Sequence, residues 1–158
     1  MKPILLTCLL SCLAWASCTT SNEYQKRVAL PNGGWNSAFK PEFEMQITDT
    51  QALYDVCILL RNDDSYNFSN LWIKLHILPP GDSVYKIYDR VELPLSDAKG
   101  YWLGRNFGDT WEQKVEIAAN DSTMFHKPGT YKIRFEHIMR TDPLYGILNI
   151  GLNIKRKS

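Results

Sequence analysis

Disulfide chemistry is missing from the body of this chain. Of its four cysteines, Cys8, Cys12 and Cys18 fall at the start and only Cys57 lies further in. One internal cysteine cannot form an internal bridge, so core burial has to hold the domain together. Neither sign of charge is in surplus: 18 Lys+Arg stand against 17 Asp+Glu. That balance excludes the basic footprint of a nucleic-acid binder and the polybasic patch of a membrane-surface protein. No stretch after Cys18 approaches the roughly 18 apolar residues that a spanning helix needs. Residues 30–155 hold no repeat, no low-complexity tract and no linker, so one domain is the simplest organisation. No G-x-S-x-G and no phosphate-binding glycine loop occurs.

What is present starts with an export address. Met1, Lys2 and Pro3 precede an apolar run from Ile4 to Ser17 that ends in small residues. One positive charge followed by such a run is a secretory signal. Ala16-Ser17-Cys18 resembles the end of a bacterial lipobox, in which small residues precede a cysteine that is acylated and becomes the mature N-terminus. Trp15 stands where that pattern usually has Leu. Leu9-Leu10-Ser11-Cys12 fits letter by letter, but it leaves a signal too short to work. An ordinary secretory signal cut near Ala16 is the alternative. The expected division is a lipoprotein signal peptide over 1–17, a lipidated N-terminus and polar tether over 18–28, and a folded domain over 29–158. Removing the signal takes away only Lys2 among the charges and leaves a neutral mature chain.

With 44% hydrophobic and 12% aromatic residues, the chain can build a core. Its apolar residues recur with period two, the signature of strands. Phe43, Met45 and Ile47 alternate with Glu42, Glu44 and Gln46. Leu71, Ile73, Leu75 and Ile77 alternate with Trp72, Lys74 and His76. Tyr85, Ile87, Val91 and Leu93 share a parity, as do Val115 and Ile117, then Tyr131, Ile133 and Phe135, then Leu148, Ile150, Leu152 and Ile154. The segment Ala52 to Arg61 is apolar on both faces, which predicts a central strand. Pro79-Pro80-Gly81-Asp82 predicts a hairpin turn. No helix-period segment exceeds about two turns. Seven or eight strands of this kind predict an all-β chain, a single antiparallel β-sandwich of jelly-roll type.

Chemistry is harder to find. His76 and His137 fall on predicted strands and His126 in a turn, at no spacing suited to a metal. His137 shares the core parity of Phe135. Glu42 and Glu44 read as the solvated face of a strand, Asp63-Asp64 as a turn, and Cys57 as a small core hydrophobe. The aromatics Tyr66, Phe68 and Trp72, with Tyr101 and Trp102, sit among Gly, Asn and Ser in or beside loops. They are the candidate partner-binding residues, because Trp and Tyr supply the apolar area of interface hot spots. The rival assignment has them plug the open end of the sandwich.

Several stretches together are similar to one family. They are Leu30-Pro31-Asn32-Gly33-Gly34-Trp35, Leu60-Arg61-Asn62, Tyr66-Asn67-Phe68-Ser69-Asn70-Leu71, Gly100-Tyr101-Trp102-Leu103-Gly104 and Pro128-Gly129-Thr130-Tyr131. Glu136-His137-Ile138-Met139-Arg140, Pro143-Leu144 and Asn149-Ile150-Gly151-Leu152 complete the set. The chain resembles GldH, the gliding motility lipoproteins of Bacteroidota. The resemblance implies an outer-membrane lipoprotein, lipid-anchored and facing the periplasm or the cell surface. It implies a structural or assembly role beside other proteins of the gliding and linked secretion machinery, with no enzymatic activity, no cofactor and no small-molecule ligand. It implies acylation at Cys18 and no further site residue. A carbohydrate-binding β-sandwich lipoprotein is the competing expectation, since jelly rolls with exposed tryptophans often bind glycans. Acyl chains anchor by roughly 0.8 kcal/mol per buried CH₂. Cys18→Ser should therefore leave the domain folded and release it from the membrane fraction. Retention there, with continued uptake of labelled fatty acid, would show that another cysteine carries the lipid.

Overall fold

The computed structural model describes residues 22–121 and 124–157, so Cys18 and the signal lie outside the described residues. The strands are β1 (Glu23–Ala29), β2 (Gly34–Trp35), β3 (Glu42–Ile47), β4 (Tyr54–Asp63), β5 (Asn70–Leu78) and β6 (Lys86–Pro94). They continue with β7 (Arg105–Phe107), β8 (Thr110–Asp121), β9 (Gly129–His137), β10 (Leu144–Tyr145) and β11 (Ile147–Arg156). One sheet runs β1-β11-β4-β8-β7 and the other β3-β9-β5-β6, while β2 and β10 make a small ribbon. All pairings are antiparallel. Leaving aside β7 and the ribbon, successive strands distribute between two four-stranded sheets in the order of a jelly roll.

The inward rows follow the alternation. Leu71, Ile73, Leu75 and Ile77 meet Tyr131, Ile133 and Phe135 across the β5–β9 sheet, and all are buried. Tyr54, Val56, Ile58 and Leu60 of β4 face them from the other sheet with Ile150, Leu152 and Ile154. Fully burying one such side chain contributes roughly 1.5–3 kcal/mol. Strand β4 lies at the centre of its sheet, as its doubly apolar sequence requires.

Four details differ from the sequence reading. Strand β1 occupies most of the expected tether, because Glu23 to Ala29 pairs residue for residue with β11. In β6 the register breaks between Ile73↔Val91 and Leu75↔Tyr88. This bulge turns Tyr88 inward and leaves Ile87 52% exposed. Tyr85 accordingly lies on the outer face, where its hydroxyl donates to Glu42 at 2.7 Å. A second bulge, between Ile147 and Asn149, sends Ile147 rather than Leu148 into the core. Finally, Cys57 and Leu59 are buried on the outer face of β4, outside the inter-sheet core, under neighbouring side chains. Burial raises the Cys57 thiol pKa above its usual value, so the thiol is poorly reactive.

The outer face of the second sheet is a lattice of paired charges. Arg134 donates twice to Glu42, Lys132 lies 2.9 Å from Glu44, and Lys40 and His76 each lie 3.0 Å from Glu136. Burial pushes the Glu42 carboxyl up, but Tyr85 and Arg134 outweigh it and hold it below its usual range. His137, with its expected core parity, is 2% exposed. Its ring meets Trp35 edge-on at 5.3 Å, and Asp142 lies 3.7 Å from Nε2. Burial lowers the His137 pKa, opposed in part by Asp142.

Two outcomes follow from this core. Ile73 is fully buried, so Ile73→Ala should cost about 2–5 kcal/mol in denaturant melts. Lys74→Ala, which removes only an exposed pair with Asp89, should stay within about 0.5 kcal/mol. Comparable losses at both would mean that this strand is buried on both faces. For His137, the folded state favours the neutral ring, whereas the unfolded chain takes up a proton near pH 6.5. Its contribution is complete above that pH and declines as pH falls below it. Melting temperature should drop between pH 6.5 and pH 5 in the wild type and drop less in His137→Leu. Parallel curves would assign the acid sensitivity to other groups.

Candidate functional site

The strand directions sort the loops into two ends. Glu23, Tyr54, Arg156 and Asp121 share one end of the first sheet through their registers. The connections 48–53 and 79–85 close that same end. The opposite end carries residues 64–69, 95–104, the β7–β8 turn and 138–143. Every aromatic singled out from the sequence belongs to this second end.

The loop after β4 begins with a turn in which Asp63 accepts from the Ser65 backbone N–H and hydroxyl. That turn drives Tyr66 inward. Tyr66 is 3% exposed, and its hydroxyl donates to the Asn70 carbonyl at 2.7 Å. Burial raises its pKa far above the usual phenol value. Gly146, at φ +83, passes directly over Tyr66, and any β-carbon there would collide with the Tyr66 backbone. Tyr66 is therefore a plug, which corrects its expected place on a partner surface. Phe68 contacts its ring at 5.6 Å and remains 36% exposed.

The loop after β6 is organised by Asp97, whose carboxylate accepts from the backbone N–H groups of Lys99 and Tyr101. Gly100 makes the turn at φ +86, and Ser96 then bridges Trp102. The short extended segment alternates like a strand. Tyr101 and Leu103 point out at 69% and 56% exposure, while Trp102 between them is half-buried. Trp102 contacts Tyr66 at 6.3 Å and Trp111 at 5.9 Å, and its indole N–H reaches Asp64 at 3.4 Å. Phe68, Tyr66, Trp102 and Trp111 thus form a continuous row beneath the exposed side chains. Phe107, 44% exposed at the β7–β8 turn, lies near Arg105 and Arg61 at 4.9 and 6.0 Å.

Trp72 keeps the outward parity expected of it, half-buried on the outer face of β5. Arg90 lies over its ring at 5.5 Å. Phe68, Asn70, Ile138, Met139 and Arg140 join these two in a groove of about 530 Å³. The two loops named from the sequence are thus brought together through Tyr66, with Trp72 beyond Phe68. Sequence reasoning missed Phe107, Arg90 and Arg140. The Phe107-Gly108-Asp109 turn signal could have exposed the first. Nothing local marks the other two. The arrangement offers apolar area, indole N–H groups and arginines. Among the described residues no group of three His, Cys, Asp or Glu side chains could hold a metal ion. No helix among them is long and apolar enough to cross a membrane.

Among solved structures the chain is similar to CBM28, a carbohydrate-binding module specific for non-crystalline cellulose. The TM-score is 0.45 at 10% identity, covering 85% of this chain and 73% of that one. It is also similar to PliG of Aeromonas hydrophila, a periplasmic inhibitor of g-type lysozyme, with TM-score 0.36, 14% identity and coverage of 87% and 89%. By sequence it is 28% identical over 151 residues to a gliding motility lipoprotein GldH homolog of Christiangramia forsetii, covering 91% of this chain and 90% of the other. It is 23% identical over 156 residues to the gliding motility lipoprotein GldH of Flavobacterium johnsoniae, covering 94% of each. Residues 22–154 match the GldH lipoprotein family, from the first residue of the described fold to the last core residue of β11. This chain belongs to the GldH lipoprotein family, whose relatives here are named gliding motility lipoproteins.

Proposed function

We propose that this chain is a non-catalytic docking subunit of the gliding apparatus and its linked secretion system. It is held in the outer membrane by lipid on Cys18 and binds other envelope proteins through the aromatic end of its sandwich. One observation carries the reading: the N-terminal strand enters at the end opposite the exposed aromatics. Cys18 precedes Glu23 by five residues, which span at most about 18 Å. Ten residues of β4 separate the two ends, about 33 Å at strand rise. A lipid at Cys18 keeps the N-terminal end near the bilayer and holds Tyr101, Leu103 and Phe107 away from it. Exposed aromatics at that distance cannot serve as a membrane anchor, whereas they suit a protein interface.

The packed aromatic row beneath them, with Tyr66 buried at its centre, gives the surface a fixed shape, which lowers the entropy lost on binding. The polar side chains fit the same reading, since the charge pairs on the second sheet brace its outer face. Tyr101→Ser combined with Leu103→Ser should leave the melting temperature unchanged and abolish recovery of partner proteins after mild solubilisation. Tyr66→Ala is the contrast, with an expected loss of about 3 kcal/mol or more of stability. Undiminished partner recovery by the Tyr101/Leu103 variant would overturn the docking surface.

A further inference from the structure

We propose that the groove formed by Phe68, Asn70, Trp72, Arg90, Met139 and Arg140 binds an acidic segment of a partner protein, with a carboxylate side chain next to an aromatic or aliphatic one. The inference rests on the docking role above and names the chemistry of its partner. The floor is apolar and aromatic, and it is sized for a few side chains. Its charge is one-sided. Among the described residues neither Arg90 nor Arg140 has an ion-pair partner, although acids stand close by. Glu92, opposite Trp72, accepts from Asn70 at 2.6 Å, and Asp89 lies 3.4 Å from Lys74. Neither carboxylate pairs with Arg90 or Arg140, whose guanidinium donors are left to an incoming anion.

The backbone points to the same place. Arg90 sits at φ +61 in the β6 bulge, a conformation that side-chain-bearing residues seldom adopt. A bulge re-aims side chains, and this one sets Arg90 over Trp72, on the outer face, at the cost of local strain. Glycine would fill the position without strain, yet it would leave the groove one charge short. On the facing side, the Trp72 backbone N–H donates to the Met139 sulfur at 3.3 Å, and the Ile138 N–H donates to the Trp72 carbonyl at 2.9 Å. Residues 138–140 are therefore fixed against Trp72, and Arg140 is presented from a held segment. An arginine stacked on an indole keeps its hydrogen-bonding edge available for a carboxylate.

The test compares two probe peptides, Ac-Gly-Asp-Phe-Asp-Gly-NH₂ and its isosteric twin Ac-Gly-Asn-Phe-Asn-Gly-NH₂. Each is titrated into the full-length lipoprotein in detergent, with the indole N–H resonance of Trp72 as the readout. The acidic peptide should bind at least tenfold more tightly, and the difference should shrink as salt is raised. Arg90→Gly should erase most of that difference while holding or raising the melting temperature, because it relieves the left-handed strain. Arg140→Ala should erase it as well, and Arg90→Lys should retain part of it. Equal binding of the twins to the wild type would overturn the proposal. So would a Trp72 response to dimethyl phosphate or phosphatidylglycerol vesicles but not to the acidic peptide, which would assign the groove to lipid headgroups. If neither peptide binds while the Tyr101/Leu103 variant still loses its partners, the acidic-segment assignment fails and the docking role stands. If the acidic peptide binds and that variant keeps its partners, the groove stands and the docking surface fails.

Discussion

Burial of one apolar row per strand between two sheets is the constraint on which everything else in this molecule depends. Among the described residues Cys57 is a free thiol and no covalent staple shares the load. The core rows come largely from strands far apart in sequence, β5 with β9 and β4 with β11. The fold therefore stands or falls as a unit. Loops at either end are free to vary chemically only because the middle is fully committed to packing. At the ends the same apolar chemistry is used differently. Tyr54, Phe125 and Tyr131 close the end near the N-terminus by edge-on stacking, and the apolar side chains exposed there, Leu53 and Val84, are aliphatic. Tyr66 and Trp102 close the other end beneath a layer of apolar side chains that stay exposed.

Period-two alternation was enough to read β3, β5 and β9, where Phe43, Ile73 and Ile133 sit as their parity requires. The doubly apolar segment from Ala52 likewise betrayed a central strand. Alternation failed where one residue was inserted. The bulge at β6 reversed the parity of Ile87 and Tyr88, and the bulge in β11 exchanged Leu148 for Ile147. A bulge is imposed by the partner strand's register, which no single segment records. Strand β1 was missed for a related reason. Most of its residues are polar, and only Tyr24 and Val28 pack against the core, too few to show an alternation; its pairing with β11 places it on the edge of the sheet.

The site was half legible. Aromatics among glycines and asparagines marked the right loops, but composition cannot tell a plug from a docking residue. The direction of Tyr66 was decided by the Asp63 turn and by Gly146, some eighty residues away in sequence. Leu103 and Tyr101 became prominent only once the Asp97 turn fixed which side chains alternate outward. Arg90 comes from the middle of β6 and Arg140 from the segment after β9, and they line one groove only because β5 lies between β6 and β9.

The pairing of β1 with β11 has a mechanical meaning. A pull on the N-terminal segment enters at Glu23 and runs along the axis of β1, parallel to its partner over all seven register pairs from Glu23↔Lys155 to Ala29↔Asn149. Such a load slides one strand along the other, so the rungs of the ladder bear tension together. Were the chain to enter from the other end of the strand, the same force would fold β1 back and open the rungs one after another. The entry point thus sets the domain in its resistant orientation, with force passed directly to β11 and, through it, to the central strand β4.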